Sequence, residues 1–264
     1  MDGADEDGWS AVAGVWAELW GDFADPARQR VISETGIGPG SRVLDVGCGS
    51  GEFLGMLDRL GATPAGIDPA PAMIALARAR LPTADIRLGS AEGMPWPAAT
   101  FDVVTAFNAL QFAEDTLDAL HEFVRVTAPN GLVAVSNWAE GARNDLNVIE
   151  TSVALAAGEE LRPDGELRQA GGLEELFGDA GLDVISAGLV EVCWEAPNDE
   201  VLVRGVLMGE DPDTIAATAA TVIDAARPFR IEGGGYRLVN AFRYAIGRTG
   251  PQATTPARNS SPSS

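Results

Sequence analysis

No lysine occurs anywhere in this chain of 264 residues; all 18 of its basic residues are arginine. A lysine Schiff base and a phosphate-loop lysine are therefore impossible. Histidine is nearly as scarce. His121 stands alone, so no multi-histidine zinc site can form, and a Ser-His-Asp triad would have to run through that residue. The two cysteines, Cys48 and Cys193, lie far apart, and free thiols in a cytoplasmic protein are the expectation. No stretch reaches the roughly 18 apolar residues of a membrane span, and the acidic start from Met1 to Asp7 is the wrong kind for a signal peptide. Acids outnumber bases, 39 to 18, for a net charge of −21. That charge repels nucleic acids and anionic membranes and leaves small molecules as the partners to expect. The length suits one large α/β domain, or a domain plus a cap.

What is present is concentrated in one run, Val43-Leu44-Asp45-Val46-Gly47-Cys48-Gly49-Ser50-Gly51. An apolar strand enters three glycines spaced two apart, and residues 52–60 then read as a helix. Side-chain-free backbone at a strand end and a helix start suits a nucleotide-like ligand. A dinucleotide site wants Gly-x-Gly-x-x-Gly, whose third glycine would fall on Glu52. The pattern here is Asp-x-Gly-x-Gly-x-Gly.

Alternating elements follow, which predicts a mainly parallel, doubly wound sheet. Strands are expected at 42–46, 63–67, 85–88, 101–106 and 132–137, with helices at 71–80 and 115–127. The turn Pro129-Asn130-Gly131 leads into the fifth strand. Helices are also expected at 146–158 and 173–180, then two long strands, 184–194 and 236–247, pairing as an antiparallel hairpin at the sheet edge. Residues 1–8 read as disordered, 9–34 as helical, and 1–38 as an N-terminal helical lid. Residues 39–248 form the main domain, with 139–170 and 199–228 as cap insertions. The Pro/Ser/Thr-rich tail, 249–264, reads as disordered.

In a doubly wound sheet the ligand lies across the carboxyl ends of the central strands, so candidates come from the loops there. A Cβ at Gly47 or Gly49 is expected to clash. Asp68, 17 residues past Gly51, can accept from both hydroxyls of a ribose, a reading preferred over plain turn-starting or helix-capping. Pro69 and Met73 follow it. Ser90, Ala91 and Glu92 follow the third strand, with Met94 near an adenine face; a plain surface loop is the rival reading. Asn108, Ala109 and Gln111 follow the fourth strand, and Gln111 either orients a substrate or satisfies its own loop. His121 falls at the edge of an amphipathic helix face and reads as partly exposed. Neither Gln111 nor His121 is assigned the catalysis. Arg125 is expected to pair with Glu122. Trp16, Trp20, Trp138, Phe229 and Tyr236 are candidates to line a substrate pocket, although packing accounts for any one of them.

Together, Val43 to Gly51, Gly66-Ile67-Asp68, Ala91 to Pro95, Phe101 to Val104 and Arg125-Val126 with Pro129-Asn130-Gly131 resemble class I S-adenosylmethionine-dependent methyltransferases. The small-molecule branch, with quinone-biosynthesis and natural-product enzymes, is the most similar. The resemblance is strong over 40–140 and loose over 170–248. It implies a seven-stranded sheet of order 3-2-1-4-5-7-6 with strand seven antiparallel, and S-adenosylmethionine as cofactor, leaving as S-adenosylhomocysteine. It also implies that Asp45 fixes the glycine loop and reaches the methionine amino group. Asp68 would hold the ribose, with Asp45, Gly47, Cys48, Gly49, Gly51, Asp68, Pro69, Met73, Ser90, Ala91, Glu92, Asn108 and Ala109 around the cofactor. The expected reaction is methyl transfer to a small, hydrophobic acceptor at oxygen, carbon or nitrogen. The alternative is a cofactor-binding protein that catalyses a cyclisation or decarboxylation. In that branch the loop after strand four often carries histidine; here it carries Gln111.

Overall fold

The computed structural model describes residues 6–251. Strands β1 (Arg42–Val46), β2 (Thr63–Asp68), β3 (Asp85–Leu88), β4 (Phe101–Phe107), β5 (Thr127–Trp138), β6 (Asp183–Ala196) and β7 (Tyr236–Arg248) form one sheet. Its order is β3-β2-β1-β4-β5-β7-β6. The first five strands run parallel, and β7 lies antiparallel to both β5 and β6. Both expectations, the strand order and the edge hairpin, are met.

The central strands are buried on both faces, as parallel strands must be. Successive residues serve opposite layers: Val43 and Val103 pack with Val31, Phe53 and Leu57, whereas Leu44 and Val104 pack with Leu120, Phe123 and Phe177. Helices α2 (Asp25–Thr35), α3 (Glu52–Arg59) and α4 (Pro71–Arg80) form the first layer, and α5 (Thr116–Val126) and α7 (Gly172–Asp179) the second. Between them in sequence lies α6 (Asp145–Ala156), which packs on α9 (Pro212–Ala225) in a cap together with α8 (Asp199–Val206). Asp115, Asn198 and Asp211 cap α5, α8 and α9 by accepting first-turn amide hydrogens, the ordinary work of such residues at helix starts.

Five expectations need correction. The helix expected over 9–34 is two: α1 (Glu6–Leu19) and α2, separated by a turn at Trp20 to Ala24. Pro26 starts the second helix, because a proline in a first turn costs no hydrogen bond but cannot sit inside a continuing helix. Residues 6–8, read as disordered, belong to α1, while 1–5 lie outside the described residues. The segment 199–228 also divides, since Asp211-Pro212 opens a new helix. At the other end Thr249, placed in the tail, is buried and donates to the carbonyl of Ala128 at 2.8 Å; residues 252–264 lie outside the described region. The turn before the fifth strand is a bulge within β5. Pairing jumps from Phe101↔Thr127 to Val103↔Leu132, and Asn130 has φ 60°. Among the described residues no helix is long and apolar enough to cross a membrane.

The N-terminal segment is tied to the cap by aromatic contacts. Trp20 stacks on Trp194 of β6 at 4.5 Å and donates to the Gly205 carbonyl of α8, while the Trp194 indole donates to the carbonyl of Leu19 at 2.8 Å. Gly205 is required there, because a Cβ would stand 2.4 Å from the Trp194 ring. Replacing Trp194 with alanine removes the stack, the hydrogen bond and a buried ring. A loss of about 3–5 kcal/mol is expected, read as a lower urea midpoint with unchanged far-ultraviolet circular dichroism.

Candidate functional site

The carboxyl ends of β1, β2, β4 and β5 open into one cleft of about 1790 Å³. The glycine loop forms its floor. The amides of Gly47 and Cys48 both donate to the carbonyl of Ile67, at 2.8 and 3.0 Å, and the Gly49 amide donates to Asp68 Oδ2 at 2.9 Å. Asp68 Oδ1 accepts from the amide of Ala70 at 2.9 Å. Asp68 thus both caps α4 and anchors the loop, while each of its oxygens keeps a further lone pair. Burial pushes its pKa up, against the pull of those two amides.

Asp45 behaves differently from the role that the resemblance implies. Its carboxylate does not grip the glycine loop; it accepts from the hydroxyl of Thr105 on β4 at 2.8 Å. It is 4 % exposed, and burial raises its pKa to about 7, only partly opposed by Thr105 and Arg28. The loop needs no carboxylate there because Ile67 and Asp68 already hold it.

The glycines have three distinct roles. A Cβ on Gly47 would stand 2.3 Å from Ala109 Cβ, at φ +68°. The expected clash at Gly49 is not with the protein. Its nearest neighbour would be Trp16 Nε1 at 3.8 Å, so the constraint is φ +52° and the open space above it. Gly51 does not line the cleft; it starts α3 at φ +86° and lets that helix approach Ala77, 3.0 Å from the place of its Cβ.

Cys48, Pro69, Met73, Ser90, Ala91, Glu92, Asn108, Ala109 and Gln111 all border the cleft. Glu92 also accepts from the Glu114 amide at 2.7 Å and so fastens the loop after β3 to that after β4. Asn108 adopts φ +52°, and its amide donates to Ser136 while its Oδ1 has no partner. Trp16, Trp20 and Trp138 line the cleft as expected.

Three candidates do not reach it. His121 projects from α5 to solvent, its side chain 54 % exposed, with Asp118 3.9 Å away. Tyr236 is wholly buried, donates to Asp199 at 2.6 Å and accepts from Arg230, and thereby closes the cap. Phe229 packs against the core at the end of α9. Arg125 does pair with Glu122, and both hold the Met94 loop.

The cleft also brings in residues that sequence reasoning passed over. Arg28 is 9 % exposed, donates to the Gly21 carbonyl and to Asp25, and leaves its Nε without a partner. A signal existed: Ala24, Ala27, Arg28 and Val31 share one helical face, and a charge on an apolar face is informative. Asn137 at the end of β5 is 3 % exposed, with Oδ1 unpartnered. From α6 come Asn147 and Glu150. Solvent reaches Glu150, yet the cleft walls surround it and push its pKa up.

The parts present fit S-adenosylmethionine: an open space above a left-handed glycine, a carboxylate with spare lone pairs at the next strand end, and a buried arginine with a free N–H. A methyltransferase-domain family model matches residues 44–135. A probable S-adenosylmethionine-dependent methyltransferase of Mycolicibacterium smegmatis is 30% identical over 181 residues, covering 63% of this chain and 70% of that one. The chain belongs to the S-adenosylmethionine-dependent methyltransferases. The chain is also 28% identical to a nocamycin O-methyltransferase of Saccharothrix syringae, covering 93% of this chain and 98% of the relative. It spans only 39% to 56% of the length of other curated O-methyltransferases that it matches. A solved structure from Bacillus halodurans classed as a methyltransferase shares the fold, with TM-score 0.59 and 14% identity over 84% of this chain and 98% of that one.

The buried acid of the site has a measurable signature. Asp45 has its folded pKa, about 7, above the roughly 3.9 of an unfolded aspartate. The stability it supports is therefore fully present below about pH 4 and is lost as pH rises to 7. Asp45→Asn mimics the neutral form and keeps an acceptor for Thr105. Its urea midpoint relative to the parent is expected to rise between pH 5.5 and pH 8. A difference that stays flat across that range would place the titration elsewhere.

Proposed function

We propose that this protein transfers the methyl of S-adenosylmethionine to a small, mainly apolar metabolite held beyond the glycine loop. The observation that carries this reading is the continuity of the cleft. Its nucleotide-facing side, from Gly49 and Asp68 to Ala91, runs without a wall into a chamber of Trp16, Trp20, Asn137, Trp138 and Glu150. Small-molecule relatives such as the nocamycin enzyme, matched over nearly the whole chain, support the substrate class.

The cofactor, when bound, supplies a methyl already activated on a sulfonium. What remains for the chain is positioning, and holding two reactants in line can supply on the order of 7–11 kcal/mol. Asp68 accepts from the ribose hydroxyls through its remaining lone pairs. Arg28 meets the methionine carboxylate with its free N–H, and Asp45 stands by the amino group. Ser90, Ala91 and Glu92 border the adenine. Residues 6–38 act as a lid: α1 packs on α4 through Ala13 and Met73, and Trp9 meets Phe112 of the loop after β4 at 5.4 Å. Those contacts keep water from the reacting atoms.

The deciding measurement is S-adenosylhomocysteine formed in step with a product 14 mass units heavier, from a metabolite extract. Cofactor binding without any methylated product would overturn transfer. Asp68→Asn is expected to weaken cofactor binding about tenfold or more by calorimetry, since bonds to a charged acceptor contribute roughly 1.5–3 kcal/mol each. His121→Gln is expected to leave turnover within about twofold, as its side chain faces solvent.

A further inference from the structure

The chamber walls differ sharply in charge from an anion site. Twelve carboxylates and two arginines border the cleft among the described residues. Both arginines are engaged: Arg168 with Asp164 and the Ala139 carbonyl, Arg28 with Asp25 and the Gly21 carbonyl. Arg28 makes those bonds through Nη1 and leaves its Nε buried without a partner.

A second observation is independent of charge. Asn137 is 3 % exposed, borders the cleft, and has no hydrogen-bond partner at Oδ1. A buried amide left unsatisfied costs about 1–3 kcal/mol, and such a group in a native fold calls for a missing partner. A hydroxyl satisfies it whichever way the amide is turned, and a protonated amine, which only donates, satisfies it at Oδ1. Asn144, which precedes α6, and Asn147 and Glu150 on that helix recur at intervals of three residues and border the same cleft. Asn144 is spent on the carbonyls of Ala139 and Glu140 and on the amide of Ala241. Asn147 reaches only Thr151, at 3.4 Å. Among the described residues Glu150 forms no ion pair, while Arg168 acts on it electrostatically from farther off.

We infer that the chamber takes an uncharged or cationic acceptor whose nucleophile is an O–H or N–H group, bound at the Asn137 amide and deprotonated by Glu150, and that it rejects carboxylates and phosphates. This rests on the methyl-transfer reading of the same site. In the proton step the O–H or N–H bond breaks, its electron pair stays on oxygen or nitrogen, and the proton passes to the Glu150 carboxylate and then to solvent. The raised proton affinity of Glu150 in its enclosed position suits that task. An anionic acceptor would meet Glu150 and eleven further cleft carboxylates, with Arg168 already bonded to Asp164, and like charges in such a site oppose binding.

The test compares three probes with one ring system on the full chain saturated with S-adenosylhomocysteine: 2-naphthol, 2-naphthylmethylamine and 2-naphthoate. Affinities are read by calorimetry at low salt. The naphthol and the amine are expected to bind about tenfold or more tightly than the naphthoate. Glu150→Gln should narrow that gap to about twofold, and Asn137→Leu should weaken the naphthol about five- to tenfold. Naphthoate binding as well as or better than the others overturns the inference, as does the absence of binding by all three. Should Asn137→Leu not fold, Glu150→Gln decides alone, because solvent reaches that side chain and the swap keeps its size. Methyl transfer is not read in this assay. Selectivity intact in a protein that forms no S-adenosylhomocysteine from its cofactor would sink the transfer reading and leave this one standing.

Discussion

The site depends on one carboxylate, Asp68, placed where β2 ends. One of its oxygens holds the Gly49 amide and the other the Ala70 amide, so β1's loop and α4's first turn are fixed by a single side chain. Burial disfavours its charge, and the two amides favour it. The shared Ile67 carbonyl adds the amides of Gly47 and Cys48. With that clamp set, Gly49 is left in a left-handed conformation with open space above it. The ligand space is what remains when the loop's own backbone bonds are complete.

A second constraint runs along the N-terminal segment. Trp9 meets Phe112, Trp16 meets Trp9, Trp16 stacks on Trp20 at 6.4 Å, and Trp20 stacks on Trp194. These contacts join the loop after β4 to the edge hairpin through α1. Aromatic pairs contribute about 0.5–1.5 kcal/mol each beyond the area they bury. The exposed Glu18–Arg204 pair beside them adds little. Any movement of α1 that opens the cleft must therefore loosen the Trp9 end first, since Trp20 is 6 % exposed and hydrogen-bonded to α8.

The sheet and the loops that border the cleft at its carboxyl edge were legible because local signals agree there. Apolar strands are followed by glycine or Asp-Pro at fixed intervals, and parallel strands place those ends side by side. Asp68, Ala91 and Asn108 are read off for that reason. Gly51 and Asp45 were misjudged because a motif gives positions and not bonding partners: Thr105, which takes the Asp45 carboxylate, lies 60 residues away. Tyr236 and Phe229 look like pocket aromatics in sequence, yet the hairpin turns them into the cap. Asn137 and Glu150 carry no local signature at all. An asparagine after a strand and a glutamate on a helix are ordinary surface residues until β5 and α6 face one another across a cavity.

The acidity of the chamber sets a chemical condition on what can react there. A field of this sign attracts a cation but also holds its protons, and a protonated amine has no lone pair with which to attack. An acidic wall without a base would therefore gather amines and leave them inert. Glu150 removes that contradiction, because a carboxylate whose proton affinity is already raised accepts a proton at less cost than an ordinary surface acid. Hydroxyl acceptors escape the difficulty in part, since they arrive neutral and need only be polarised by Asn137 and relieved of their proton as the bond forms. The chain's lack of lysine and its one misplaced histidine leave that proton to a carboxylate. Among the described residues, Glu150 is the cleft carboxylate whose proton affinity is raised and whose oxygens accept no hydrogen bond.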